Sequence, residues 1–418
     1  MREKICLGRY DYAAYCAFTV YSICSLAIPI VIVAMGKELN FPLDDGGMSS
    51  GGILHLVRSV GMTISLAGCG FLAAKWGKRR SVGWSIFMSG LGVFLCAFSG
   101  NFLFLLPVLF IAGIGEGVCE GLATPFVQDL HPDKPERYVS ISHAFWSVGI
   151  MICMLGAGGL LTLGVSWRII LGIAGIFAML NSLWFFWKET PGKEYPEVKQ
   201  KISGSEIWHN LGKIVRNGRF WVYCVTMCIG AGAEFCLTFW AAAFLELEFN
   251  ATPFIAGLGT TAIALGMFTG RSVFGYFAKA EKIKYVLLCC SFGAVPVSLL
   301  LTILKTEYFP SQGLLFATLM LILFICGIGV APFWPLLQVY GVLNLPQLDS
   351  TLLYIFFSAV GVPGCGFFTW LIGVVGDGSS LTAGFLLIPA SMIVYGTIIL
   401  FESWVFPVKN GLPQSSNP

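Results

Sequence analysis

The chain has 418 residues, 56% hydrophobic and 11% charged, far below the roughly 25% charge of a soluble domain. A water-soluble fold cannot cover so much apolar surface, which excludes a soluble enzyme or a soluble binding module. The formal net charge of +3 identifies no polyanionic partner, and no nucleic acid is expected.

The apolar residues gather into blocks of spanning length, about 20 residues each, separated by short polar breaks. They predict helices, because only helices or closed barrels satisfy the backbone in lipid. In chain order the predicted spans are 12–36, 52–74, 81–99, 102–128, 138–163 and 168–187, then 219–245, 253–278, 284–304, 313–340, 350–374 and 381–406. Pro332, Pro335 and Pro363 predict kinks or unwound turns in the tenth and eleventh. The first span follows a short charged tail without a small-residue cleavage site, so it is expected to stay as an anchor.

If both termini are cytoplasmic, all but five of the 25 Lys and Arg fall on that side or in its loops, including Lys75, Lys78, Arg79 and Arg80. Lys37, Arg168 and Lys305 fall outside, and Arg58 and Arg271 fall within spans. The positive-inside rule then orients the chain with both ends in the cytoplasm of a plasma membrane, the inner membrane if bacterial. The cysteines read as small apolar packing residues, and none lies in an external loop.

A basic stretch, Lys188 to Arg219, divides six spans from six. Residues 205–215 read as a helix with Trp208, Leu211, Ile214 and Val215 on one face, suited to lying along the membrane. The chain is expected to form an N-terminal bundle (1–187), a cytoplasmic linker (188–218) and a C-terminal bundle (219–418). Gly70 to Lys75 closes the second span and Gly275 to Lys279 closes the eighth, each leading into a basic loop.

That loop carries a resemblance. Gly70-Phe-Leu-Ala-Ala74-Lys75-Trp-Gly77-Lys78-Arg79-Arg80 resembles the signature after the second helix of major facilitator transporters, with Ala74 where an acid is usual. Glu120-Gly-Leu-Ala-Thr124-Pro125, Leu130-His131-Pro132 and His143-Ala-Phe-Trp146-Ser-Val-Gly149 resemble the fourth-to-fifth-helix region of the fucose and hexose proton symporters. Here Thr124 stands where Asn is usual, and the first span lacks the acid typical of sugar symporters. The resemblance implies an all-α membrane protein of 12 helices in two pseudo-symmetric six-helix halves, the major facilitator fold, with a substrate site near the midplane between them.

Five ionisable residues at membrane depth mark candidate pathways: Arg58, Glu116, Glu120, Glu234 and Arg271. Glu116 and Glu120 lie one turn apart, on a face continued by Thr124 and Gln128. Two such carboxylates at midplane bind a proton or sodium, or else are neutralised by a basic partner. Gly113, Gly117 and Gly121 form a second stripe that lets a neighbouring helix approach.

Arg58 either clamps an anionic substrate group or serves as counter-ion to a glutamate. Glu234 matches the depth of Ser25 in the first span and is a candidate for substrate or ion binding. Arg271, near the cytoplasmic end of its span, is expected to snorkel or join a gate cluster. His143, Trp146 and Trp334 complete the candidate substrate site, the last because it lies between Pro332 and Pro335 where the backbone is expected to be irregular.

No enzyme is indicated. Gly47-Met-Ser49-Ser-Gly51 lacks the strand of a hydrolase turn, and Gly115-Glu-Gly117 belongs to a packing face. Asn250-Ala-Thr252 is a glycosylation sequon of use only in a eukaryote. Together these features lead to a monomeric secondary transporter in the lipid bilayer, without cofactor or metal. It is expected to couple H+ or Na+ to uptake of a small polar solute, a sugar or sugar derivative. The alternatives are an exporter or antiporter of organic anions or drugs, and a non-transporting sensor.

Overall fold

The computed structural model describes residues 7–131, 135–188, 195–196, 204–277 and 280–406. The extreme termini, most of the linker including Lys199, and the side chains of 275–279 lie outside the described residues, as do the expectations placed on them. The helices are α1 (Arg9–Glu38), α2 (Met48–Trp76), α3 (Lys78–Cys96), α4 (Phe102–Leu130), α5 (Pro135–Thr162), α6 (Trp167–Phe186), α7 (Gly204–Val215) and α8 (Gly218–Phe249). They continue with α9 (Pro253–Phe277), α10 (Ile283–Ile303), α11 (Gln312–Val330), α12 (Pro335–Leu343), α13 (Ser350–Gly378), α14 (Leu381–Phe385) and α15 (Leu387–Val405).

Among the described residues eleven segments are long and apolar enough to cross a membrane, with α11 and α12 forming one crossing and α14 and α15 another. The predicted twelfth is α3. Its polar stripe of Ser81, Ser85 and Ser89 is buried against the rest of the bundle. The Ser81 and Ser85 hydroxyls donate to the Gly77 and Val82 carbonyls of their own chain at 2.8 and 2.7 Å, which makes them tolerable inside. The predicted break in the tenth span is present, since residues 331–334 form a turn between α11 and α12. Pro363, by contrast, sits inside an unbroken α13.

The glycine stripe of α4 does what its spacing predicts. A Cβ on Gly113 would lie 2.1 Å from the Arg58 carbonyl oxygen, one on Gly117 would lie 2.2 Å from that of Met62, and one on Gly121 would lie 2.5 Å from the Cys69 sulfur. Backbone contact between α2 and α4 is therefore possible only without side chains at these positions. On another face Gly115 meets α3 in the same way, at 2.4 Å from the Ser89 nitrogen.

The halves meet at one end of the bundle. A Cβ on Gly52 of α2 would lie 2.6 Å from the Trp370 Cα of α13, and one on Gly373 would lie 2.4 Å from the Met48 carbonyl oxygen. Gly366 comes as close to Ser59, and Gly257 of α9 to Met154 of α5. At that end the Asp377 carboxylate accepts from the backbone N–H groups of Met48 and Ser49, both at 2.8 Å. It thus caps α2 from the opposite half, where the helix dipole favours an anion. Towards the basic end of α2 nothing meets Gly68 or Gly70, and Phe71 is 79% exposed. The described inter-half glycine contacts all belong to the Asp377 end.

That cap gives a first prediction. An exposed helix cap of this kind contributes about 0.5–2 kcal/mol, so Asp377→Ala is expected to shift the opening equilibrium by about two- to thirty-fold. A cysteine placed at the buried Ser59 should become reactive to a soluble thiol reagent in the Asp377→Ala background. Equal labelling rates with and without Asp377 would remove the cap as a gate contact.

Candidate functional site

Backbone contact between α2 and α4 sets Arg58 beside Glu116. The Arg58 Nε donates to Glu116 Oε2 at 2.8 Å and its Nη2 donates to Oε1, a two-pronged pair. Its Nη1 donates to the Ser25 carbonyl of α1 at 2.7 Å. That carbonyl is open because its helical partner would be the N–H of residue 29, which is Pro29 and has none. The Ser89 hydroxyl reaches Glu116 at 3.4 Å from α3. Arg58 is 1% exposed and Glu116 0%, so the pair sits where water and solute do not reach. Of the two roles open to Arg58, this geometry is the counter-ion arrangement.

Glu120 stands differently. Its one hydrogen bond among those described is a long one, from the Tyr21 hydroxyl at 3.4 Å. Two groups of the other half, Arg271 and Glu234, act on it electrostatically. Of the two roles expected for Arg271, snorkelling to the basic end or joining a gate cluster, the geometry is not the first. Its Nη2 donates to Glu234 Oε1 at 2.5 Å, and its Nε reaches the Ala331 carbonyl at 3.4 Å. The Ala331 carbonyl is open for the same reason as that of Ser25, because residue 335 is proline. Arg271 is 23% and Glu234 12% exposed, and the second oxygen of Glu234 is buried without a partner.

The two arginines thus use comparable parts in the two halves: a glutamate from one helix and a proline-freed carbonyl from another. They differ in closure. Arg58 has three of its groups bonded, whereas Arg271 holds its carboxylate by one nitrogen.

Around this centre the expected aromatics gather in part. The Trp146 ring lies edge-on to Tyr21 with centroids 4.4 Å apart, which joins Trp146 to Glu120 through Tyr21. His143 Nε2 and the Thr124 hydroxyl share a hydrogen bond at 2.9 Å, and the imidazole packs on Phe18 at 4.8 Å. Arg271 acts electrostatically on His143 as well. Trp334, in the turn before α12, packs over Gly361 of α13, where a Cβ would lie 2.9 Å from its ring. Glu120, Trp146 and His143 therefore come from the N-terminal half and Glu234 from the C-terminal half. Trp334 lies against α13, and Arg58 and Glu116 are set apart in their own buried contact.

At the packed end His55 stacks on Phe235 of α8 at 4.2 Å, joining the two halves. The space between His55, Arg58, Leu54, Ile28, Leu109 and Phe239 is too small to admit water.

The basic end holds two braces that the sequence reading missed. Lys78, from the signature loop, bonds both oxygens of Asp129 at 2.9 and 2.8 Å, and the Tyr195 hydroxyl of the linker joins Asp129 at 2.8 Å. With Ala74 in place of the usual acid, the loop lysine finds its carboxylate at the end of α4. In the other half Glu402 accepts from Arg219 Nη2 at 2.9 Å and from the Tyr340 hydroxyl at 2.6 Å.

The family model of the Major Facilitator Superfamily matches residues 13–347. The chain belongs to this superfamily. It is a multi-pass membrane transporter and not an enzyme. Three solved structures share its fold at low identity. The fucose:proton symporter of E. coli is 17% identical with a TM-score of 0.63, covering 94% of this chain and 98% of that one. A D-xylose-proton symporter is 14% identical with a TM-score of 0.72, covering 94% and 96%. A nucleoside transporter is 14% identical with a TM-score of 0.69, covering 93% and 99%. No curated protein sequence matches the chain.

Proposed function

We propose that this major facilitator protein is a proton-coupled symporter that takes up a small polar solute, a sugar or sugar derivative. The observation that carries the reading is Glu120, a carboxylate without an ion-pair partner among the described contacts, in the stretch that resembles sugar symporters. Glu120, Glu234 and Arg271, when all ionised, hold one net negative charge at the meeting of the halves. A single proton balances it, and a neutral solute then adds no charge to be desolvated.

The distribution of basic residues supports a cytoplasmic Lys78 end, with both termini and the 188–218 linker on the same side. On that orientation the described contacts between the halves at Gly52, Gly373 and Asp377 lie on the outer side. Trp146, backed by Tyr21, offers a face for a sugar ring, and His143 with Thr124 offers hydrogen bonds to hydroxyl groups. The Arg58–Glu116 pair holds the N-terminal half rigid while the halves rock about the site. The protein acts as a monomer in the plasma membrane.

Proteoliposomes with purified protein test the reading. Labelled fucose, xylose and a nucleoside are offered with an inward proton gradient, with an opposed gradient, and with none. Symport predicts accumulation only in the first case. Flux driven by the opposed gradient would replace symport with antiport, and no flux of any solute would favour a sensor.

A further inference from the structure

We infer that Arg271 exchanges partners during transport, holding Glu234 in the state described here and passing to Glu120 when the basic ends of the two halves close. The inference rests on the ion-coupled reading of the central site and adds a residue whose motion links that site to the gate.

Four observations converge on it. First, the hold on Glu234 is incomplete: one guanidinium nitrogen at 2.5 Å, with Nε only 3.4 Å from a carbonyl. Arg58, with three bonded groups and no exposure, shows what a fixed arginine looks like in this protein. Second, an acceptor waits in the opposite half. Glu120 has a long hydroxyl contact and no cation among its described partners, yet lies within electrostatic reach of Arg271.

Third, the movable groups lie at the right level. Arg271 sits on α9 beyond the Gly257 contact with Met154, on the side where the described halves make no close glycine contact. Closing the basic end brings α9 towards α4, whereas opening the Asp377 end leaves Arg58 unmoved within its own half. Fourth, Glu234 keeps one oxygen buried and unpartnered. The coupling proton, passing from Glu120 to that oxygen, neutralises Glu234 and frees Arg271 for the Glu120 carboxylate it leaves behind, while the same oxygen becomes a donor for a solute hydroxyl.

Arg271 is bonded to Glu234 of α8, and the titratable groups in electrostatic range of that pair are Glu120 of α4, His143 of α5, Cys365 of α13 and Tyr395 of α15. With Glu234 protonated, Arg271 finds its charge partner across the interface, and the pair so formed ties the halves together on the inner side. With Glu234 ionised, Arg271 returns and the inner side opens. Substrate-loaded and unloaded states are thereby distinguished by which glutamate holds the arginine.

The test reads conformation, so it does not depend on knowing the solute. Spectroscopically labelled amino acids are incorporated at the exposed Phe71 of α2 and Tyr354 of α13, and their separation is measured by pulsed electron resonance in nanodiscs. The wild type is expected to show a short-distance, inner-closed fraction. Arg271→Gln and Glu120→Gln should each lower it by about tenfold or more, and the double variant no further, because both remove the same contact.

Glu234→Gln should raise that fraction, since it frees Arg271. A bracing role for the Glu234–Arg271 pair would give no such rise. Arg271→Lys keeps the charge and should keep the fraction, and Glu120→Arg with Arg271→Glu should restore it. If Arg271→Gln lowers the fraction equally with and without Glu120, or if Glu234→Gln lowers it, the exchange is refuted. If Arg271→Gln does not fold, Glu234→Gln and Arg271→Lys still decide the matter. Loss of proton-driven uptake in proteoliposomes would refute symport alone, leaving these distances to judge the exchange.

Discussion

Glu116→Ala is expected to cost about 3–5 kcal/mol of stability, because it strands the Arg58 charge in a buried site. The guanidinium has nowhere to relax. Its side chain is 1% exposed, and the glycine contacts of Gly113 and Gly117 hold α2 against α4 on either side of it. The space beside it between His55, Leu109 and Phe239 is too small for water, so only the volume the glutamate leaves can admit any. Thermal unfolding in detergent, followed by the loss of monodisperse protein, checks this. The single variant should melt well below the wild type, and adding Arg58→Met should recover most of the loss. That recovery separates a stranded charge from a mere cavity, for which a second truncation would make matters worse. A wild-type midpoint for Glu116→Ala would show that the pair is not what holds α2, α4 and α1 together.

The spans were legible because each is an apolar run of bilayer length bounded by charge, and that signal survives without tertiary information. α3 shows why the pattern holds even at its weakest. Its serines lower the hydropathy, but they repeat at helical spacing and turn inward against Gly115. The glycine stripe of α4 was readable for a similar reason: the residues that permit close approach are spaced on one face.

Partners of the intramembrane charges were not readable in the same way, because a span's register against its neighbours is not written in its own residues. Glu116 and Glu120 share a face by spacing, yet small differences in direction send one to Arg58 and the other towards Tyr21. Its position near the end of α9 left Arg271 either to snorkel or to join a gate cluster, and a carboxylate and an open carbonyl at depth draw it inward instead of to the membrane surface. One signal was available and unused. Pro29 and Pro335 each free the carbonyl four residues earlier, and those two carbonyls are the ones the buried arginines take. Asp377 carried no signal within its own span, since its partners are backbone N–H groups of another helix.

Glu120→Gln is expected to abolish accumulation against a gradient while sparing exchange across the membrane. The amide imitates the protonated acid in size and in neutrality, so solute still binds and the halves still rock. What is lost is the obligation to carry a proton, since the site can no longer change charge between its two openings. The geometry sharpens the expectation beyond what spacing alone supports. Glu116 is already neutralised by Arg58, and Glu234 shares its charge with Arg271. Among the described carboxylates of the central group, Glu120 is therefore the one whose ionisation is not already compensated by a bonded cation. The measurement pairs gradient-driven uptake with counterflow in proteoliposomes, on the wild type and the variant. Uptake should fall to the level reached without a gradient, with counterflow slowed in proportion to the smaller inner-closed fraction but still measurable. A variant that concentrates solute as well as the wild type would move the coupling role to Glu234, whose unpartnered oxygen makes it the next place for a proton to bind.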